Sequence, residues 1–226
     1  MSAAEMATPT LVGTVTSAVS SSTSYSCNKP TGVSAGHLLL ALQWSAGTIG
    51  AVTSGGWAQL QAQSGGATSR VTWLGAGGSE PGSYTFTQTA QPGGAIIIAV
   101  AGASLAEPVS ASSSTAVGSA VSTPSVTPFG VDDLEVRFAV ALNSGQAFTP
   151  AAGFTEQADV ADGGEGGAMC ATRVLSSGSA TGTHTFATSG TPSAPHGYTI
   201  AITEAPSGRP RIVVATFAAR NRAASW

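Results

Sequence analysis

Residues 132–142 read Asp-Asp-Leu-Glu-Val-Arg-Phe-Ala-Val-Ala-Leu, and this stretch decides the fold class. Leu134, Val136, Phe138, Val140 and Leu142 alternate with Asp133, Glu135, Arg137, Ala139 and Ala141. A repeat of two is that of a β-strand with one apolar face turned to a core and one polar face turned to water. Two further runs, His37–Leu42 and Ala95–Ala101, are continuously apolar, as in strands covered on both faces. Between the runs lie turn signals: Ser54-Gly55-Gly56, Ser64-Gly65-Gly66, Pro81-Gly82, Pro92-Gly93-Gly94, Gly163-Gly164 and Ser177-Gly178. With 29 Gly, 8% charged residues and long mixtures of Ala, Ser, Thr and Val, helices are disfavoured and an all-β chain of short strands is expected.

The two halves of the chain correspond at an offset of roughly 96 to 102 residues. Leu38, Leu40 and Leu42 match Leu134, Val136 and Phe138, and Trp57 of GGW matches Phe154 of AGF. Tyr84 and Phe86 of SYTFT match His184 and Phe186 of THTFA, and AIIIAV ending at Val100 matches GYTIAI ending at Ile202. Neither half has many core residues of its own, and two halves sharing a core bury proportionally more surface. The expected architecture is a jelly-roll-like antiparallel sandwich over residues 13–205, built from related halves at about 13–105 and 120–205. The alternative is two tandem small sandwiches. Residues 1–12 and 206–226 are expected to be extended terminal arms, and Pro108–Pro128 reads as a linker or as an edge strand passing between sheets.

At GHLLLAL, GGWAQL, SEPGSYTFT and GAIIIAVAG the chain resembles a group of repetitive β-proteins of phages that infect actinobacteria, usually labelled minor tail or virion structural proteins. The resemblance runs twice through residues 10–205. It departs at His37, where the pattern has Asp, and at Trp57, which lacks the upstream proline. The resemblance implies a non-enzymatic virion protein, expected here as a capsid decoration or other outer-surface accessory. A minor tail protein or a carbohydrate-binding module for host adhesion is the alternative. The implied partners are the major capsid protein or tail subunits of the same particle, further copies of the chain, and a host glycan. The implied place is the virion surface, after assembly in the host cytoplasm.

Charge adds a docking pattern. Arg209, Arg211, Arg220 and Arg222 make residues 206–226 +4 against −7 for the rest, and Trp226 ends that segment as a candidate interface anchor. A net charge of −3 gives no reason to expect nucleic-acid binding, and no apolar run reaches the ~18 residues of a membrane span. Cys27 and Cys170 lack metal-ligand spacing; buried free thiols are the expected state and a disulfide the less frequent one. No cofactor is expected.

Candidate chemistry is sparse. His37, His184 and His196 lack a nucleophile motif, and Asp132, Asp133 and Glu135 read as a solvated strand face rather than paired catalytic carboxylates. Asp159, Asp162 and Glu165 offer oxygen ligands for Ca²⁺, but their spacing is not that of a calcium loop, and a charged surface loop is expected. Among Trp44, Trp57, Trp73 and Tyr84, Trp73 has no aromatic counterpart in the other half and is the candidate glycan contact.

Overall fold

The computed structural model describes residues 8–106, 108–113, 119–142, 147–161 and 166–205. These form fourteen strands and antiparallel sheets. The first half holds β1 (Thr10–Asn28), β2 (Leu38–Ser45), β3 (Ile49–Val52), β4 (Ala58–Ser64), β5 (Thr68–Gly75) and β6 (Ser83–Ala101). The second holds β7 (Val109–Ser113), β8 (Ala120–Thr123), β9 (Leu134–Leu142), β10 (Phe148–Thr149), β11 (Thr155–Ala161), β12 (Gly166–Val174), β13 (His184–Thr188) and β14 (Ser193–Ile202).

The duplication read from the sequence is a duplication of topology. The first half has the order β1-β6-β2-β5-β4, and the second repeats it as β7-β14-β9-β12-β11. The second half adds a small sheet, β10-β13-β8. In the first half the same layer is made by the far parts of two long strands: Ser24–Asn28 of β1 pair with Ser83–Thr87 of β6, whose other edge pairs with β3. Residue by residue, Gly36 at φ +85° corresponds to Asp132 at φ +65°. Each sends its N–H to the equivalent carbonyl, Ala76 and Leu175, at 2.8 Å.

Three cores follow. One lies inside the first half, between Leu39, Ala41 and Ile97 on one layer and Tyr25, Tyr84 and Phe86 on the other. A smaller one inside the second half joins Ala139, Met169 and Ala171 to Val121, Phe148 and Phe186. The largest lies between the halves, where Leu38, Leu40, Leu42, Ile96 and Ile98 meet Val136, Phe138, Tyr198 and Ile200. The expected all-β, antiparallel sandwich architecture is present, and the three cores arrange it as four layers, two small sandwiches back to back that share the central core. β4 packs on β7 and β1 on β11. Because β7 is the counterpart of β1, and β11 of β4, the two contacts exchange roles, as across a two-fold axis.

Two expectations of detail are corrected. β1 begins at Thr10, paired with Ala101, inside the segment read as an N-terminal arm. The polar face of β9 is not solvated: Asp133, Glu135 and Arg137 are buried, because the small sheet of the second half covers it. Cys27 and Cys170 are free thiols buried in different cores, so the less frequent expectation, a disulfide, does not apply.

Candidate functional site

Strand direction gives the body two distinct ends. Leu38 lies opposite Val100 and Gly75, and Leu134 opposite Ile202 and Val174. At this same end Thr10 pairs with Ala101, Ala103 bridges to Glu204, and the Ala205 N–H bonds to the Gly102 carbonyl at 2.7 Å. Both limits of the described body therefore emerge side by side. At the opposite end lie the loops after β2 and β4, the last residues of β9 and β11, and the bend of β6, with Gly66 of the first half close to Ala194 of the second.

The end where the chain emerges carries Leu105, Phe129, Val131 and Val174, which are 45%, 67%, 57% and 56% exposed. These are the large hydrophobic side chains left exposed among the described residues, and exposed apolar groups gathered in one region mark a contact surface. The loop that presents two of them is built rather than loose. Buried Asp133 accepts the N–H groups of Phe129 at 2.9 Å and Gly130 at 3.1 Å through one carboxylate oxygen. In the first half His37 does the same work, its Nδ1 accepting the Ser34 N–H at 3.3 Å. The two halves thus cap equivalent loops with different acceptors, His37 and Asp133.

Beneath this end lies a buried ionic network. Glu135 accepts from Arg137 Nε at 2.7 Å and from Arg173 Nε at 2.5 Å. Arg137 continues to the Thr123 carbonyl at 2.9 Å, to Thr181 Oγ1 at 3.2 Å and to the Gly182 carbonyl at 2.7 Å. Arg173 lies over the Phe154 ring at 4.5 Å and reaches the Thr181 carbonyl at 3.1 Å. Burial lowers the Arg137 pKa, an effect opposed by Glu135. His184 packs edge-on to Phe154, as Tyr84 does to Trp57. Its pKa is lowered first by burial and then by the two guanidinium groups. Every charged head here is engaged with protein, so the network holds loops rather than offering a free acid or base.

A third polar group sits between the halves. His196 Nδ1 and the Tyr198 hydroxyl each lie 2.6 Å from Ser69 Oγ. All three residues are buried, and His196 Nε2 has no hydrogen-bond partner. Burial pushes the His196 pKa down to about 4.

At the loop end, an open cleft of about 630 Å³ lies between Gly47–Thr48, Ser64–Thr68 and Thr89–Gln91. It is neutral and rich in hydroxyl groups. Trp73 is not part of it: the ring is half-buried against the central core, and its indole N–H is shielded and unpartnered. Trp44 and Tyr84 are fully buried. Asp159 accepts the Phe148 N–H at 2.9 Å. Asp162, Glu165, Arg209, Arg211, Arg220, Arg222 and Trp226 lie outside the described residues.

Sequence reasoning missed Phe129, Val131 and Val174. The duplication carried a signal for two of them: Phe129 and Val131 stand where the first half has Val33 and Ala35, an apolar gain in a loop. No family model, curated protein or solved structure matches the chain.

Proposed function

We propose that this chain is a non-enzymatic structural protein of a tailed-phage virion, attached as a decoration or accessory subunit on the outer surface. The observation that carries the reading is polarity: the exposed hydrophobic side chains Leu105, Phe129, Val131 and Val174 share one end with both exits of the chain. An end of that kind suits attachment, and the opposite end is then displayed. The sequence blocks similar to phage virion proteins also support it, since Leu38, Leu40, Tyr84 and Ile96–Ile98 are the residues that build the cores. A surface with few charges suits a subunit held in an assembly.

Cryo-electron microscopy of intact particles released from cells that make the protein tests the proposal. Density on the capsid or tail exterior, with Phe129 and Val131 turned toward a neighbouring subunit, is expected; absence of the protein from the particle overturns it. The neutral, hydroxyl-lined cleft at the displayed end favours a second reading, adhesion to a host glycan. Titration with host-wall polysaccharide, read by chemical-shift changes at Thr48, Thr68 and Thr89, tests that reading.

A further inference from the structure

An edge strand carries a row of backbone N–H and C=O groups that want partners, and proteins blunt such edges with charges, prolines, bulges or short length. Three of the four outer strands of the large sheets follow that rule. β7 has five residues. β11 bears Glu156 and Asp159 and a bulge after Glu156. β4 has a bulge after Gln59, and its Gln61 and Gln63 are tied to Ser110 and Ser112.

β1 breaks the rule. It runs for 19 residues with no charged residue and no proline, and among the described residues it pairs with β6 alone. Its irregularities fall at Leu11/Gly13 and after Val19, so Thr14–Val19 form a regular open edge. Outside the described residues the chain holds a stretch of matching character. Ile212-Val213-Val214-Ala215-Thr216-Phe217 is six residues long, uncharged, rich in β-branched and aromatic types, and free of Gly and Pro. Arg209 and Arg211 precede it, while Glu156 and Asp159 lie on β11, the strand packed against β1. The opposite signs add an attraction between the segment and this side of the body.

Reach decides which copy supplies it. Every strand pair among the described residues is antiparallel. β1 starts at the end where Ala205 is anchored on Gly102. To run antiparallel to β1 in the same molecule, Ile212 would have to sit level with Val19, about 30 Å along the strand from Thr10. The seven steps from Ala205 to Ile212 span at most about 25 Å. A tail from another molecule has no such restriction. We infer that the open edge Thr14–Val19 of β1 is a docking surface for residues 212–217 of a second copy, which adds there as an antiparallel strand. The inference does not depend on the virion reading, since it concerns self-association alone.

Sedimentation velocity of the full chain over a hundredfold concentration range, combined with amide hydrogen exchange, tests it. Association is expected to rise with concentration, together with slowed exchange at 14–19 and 212–217. Thr16→Lys places a charge at an exposed edge position and Val213→Asp interrupts the donated strand; each is expected to weaken association at least tenfold while the far-ultraviolet circular dichroism stays unchanged. A chain that remains monomeric throughout overturns the inference, whether or not residues 212–217 are protected. Association that is lost in Phe129→Ser but unaffected by Thr16→Lys also overturns it, and would assign the contact to the apolar end instead.

Discussion

Lowering the pH should loosen the contact between the two halves through a single side chain. His196 lies on β14 with Nδ1 hydrogen-bonded to Ser69 of β5 across the central core, and among the described residues its polar neighbours are the Ser69 and Tyr198 hydroxyls, with no carboxylate against it. Protonation would place a charge among buried apolar groups, so burial holds the native pKa at about 4 against an ordinary 6.5. The unfolded chain therefore binds the proton first, and stability is complete above pH 6.5 and is lost as the pH falls toward 4. At 1.36 kcal/mol per pKa unit the full loss is about 3 kcal/mol, a large part of the ~5–15 kcal/mol of a typical domain. Urea unfolding at pH 7, 5.5 and 4, for the native chain and for His196→Gln, measures it. The variant lowers stability at every pH but removes this titration, so its pH slope should be shallower by roughly 3 kcal/mol across the range. Equal slopes in the two proteins would refute the reasoning.

Glu135→Gln leaves two guanidinium groups without their carboxylate, one of them fully buried, and should cost about 3–5 kcal/mol in a denaturant titration. The double change Glu135→Leu with Arg137→Ala installs the residues that the first half carries at Leu39 and Ala41, and should recover part of that loss. At Gly197 an added Cβ would overlap the backbone of Ser122, so Gly197→Ala should lower stability by about 1–3 kcal/mol and separate the small sheet from β14. Phe129→Ser and Val131→Ser should leave the melting temperature within a degree or two, as exposed sites do, and yet abolish attachment in a particle-binding assay. Cys27 and Cys170 should react with a thiol reagent only on unfolding, because both are buried and burial pushes the Cys27 thiol up to about 12.

The alternation in Leu134–Leu142 was legible because a strand's two faces meet different surroundings, and the continuous apolar runs at Leu38–Leu42 and Ala95–Ala101 marked strands buried on both sides. The same logic failed at Glu135 and Arg137. A charged residue every second position looks like a wet face unless the partners that neutralise it are visible. Those partners, Arg173, Thr123 and Thr181, come from three separate places in the chain. The match of Trp57 to Phe154 and of Tyr84 to His184 was legible as a repeat, but not as a repeated edge-on ring pair. The surroundings of Trp73 were hidden for a related reason: its ring packs in part on the central core between the halves, which neither half displays in its own pattern. The apolar end was the least legible, because single exposed hydrophobic residues become a surface only when folding brings Leu105, Phe129, Val131 and Val174 to one end.

The two halves share a topology but divide their labour, and the difference lies in how each holds its loops at the exit end. In the first half, Glu80 braces its own loop by accepting from the Gly77 N–H at 2.7 Å and the Tyr84 hydroxyl at 2.8 Å; the inner positions of β2 remain apolar with Leu39 and Ala41. In the second half, no acid follows β12 before His184, and the bracing comes from inside the sandwich. Arg137 and Arg173 reach out from β9 and β12 to Thr181 and Gly182, and Thr181 in turn exchanges hydrogen bonds with Val126. That ties the loops on both sides of Phe129–Val131 to the central sheet. Burying a charged triad is costly, and an apolar pair would hold the fold as well or better. Its position supplies the compensation: it fixes the loops of the half that presents three of the four exposed hydrophobic side chains. Replacing the triad by apolar residues should therefore leave a folded sandwich whose loops at 124–131 and 175–182 exchange amide hydrogens faster and whose attachment to particles is weakened. Unchanged exchange in those loops would mean that the triad contributes nothing to the docking end.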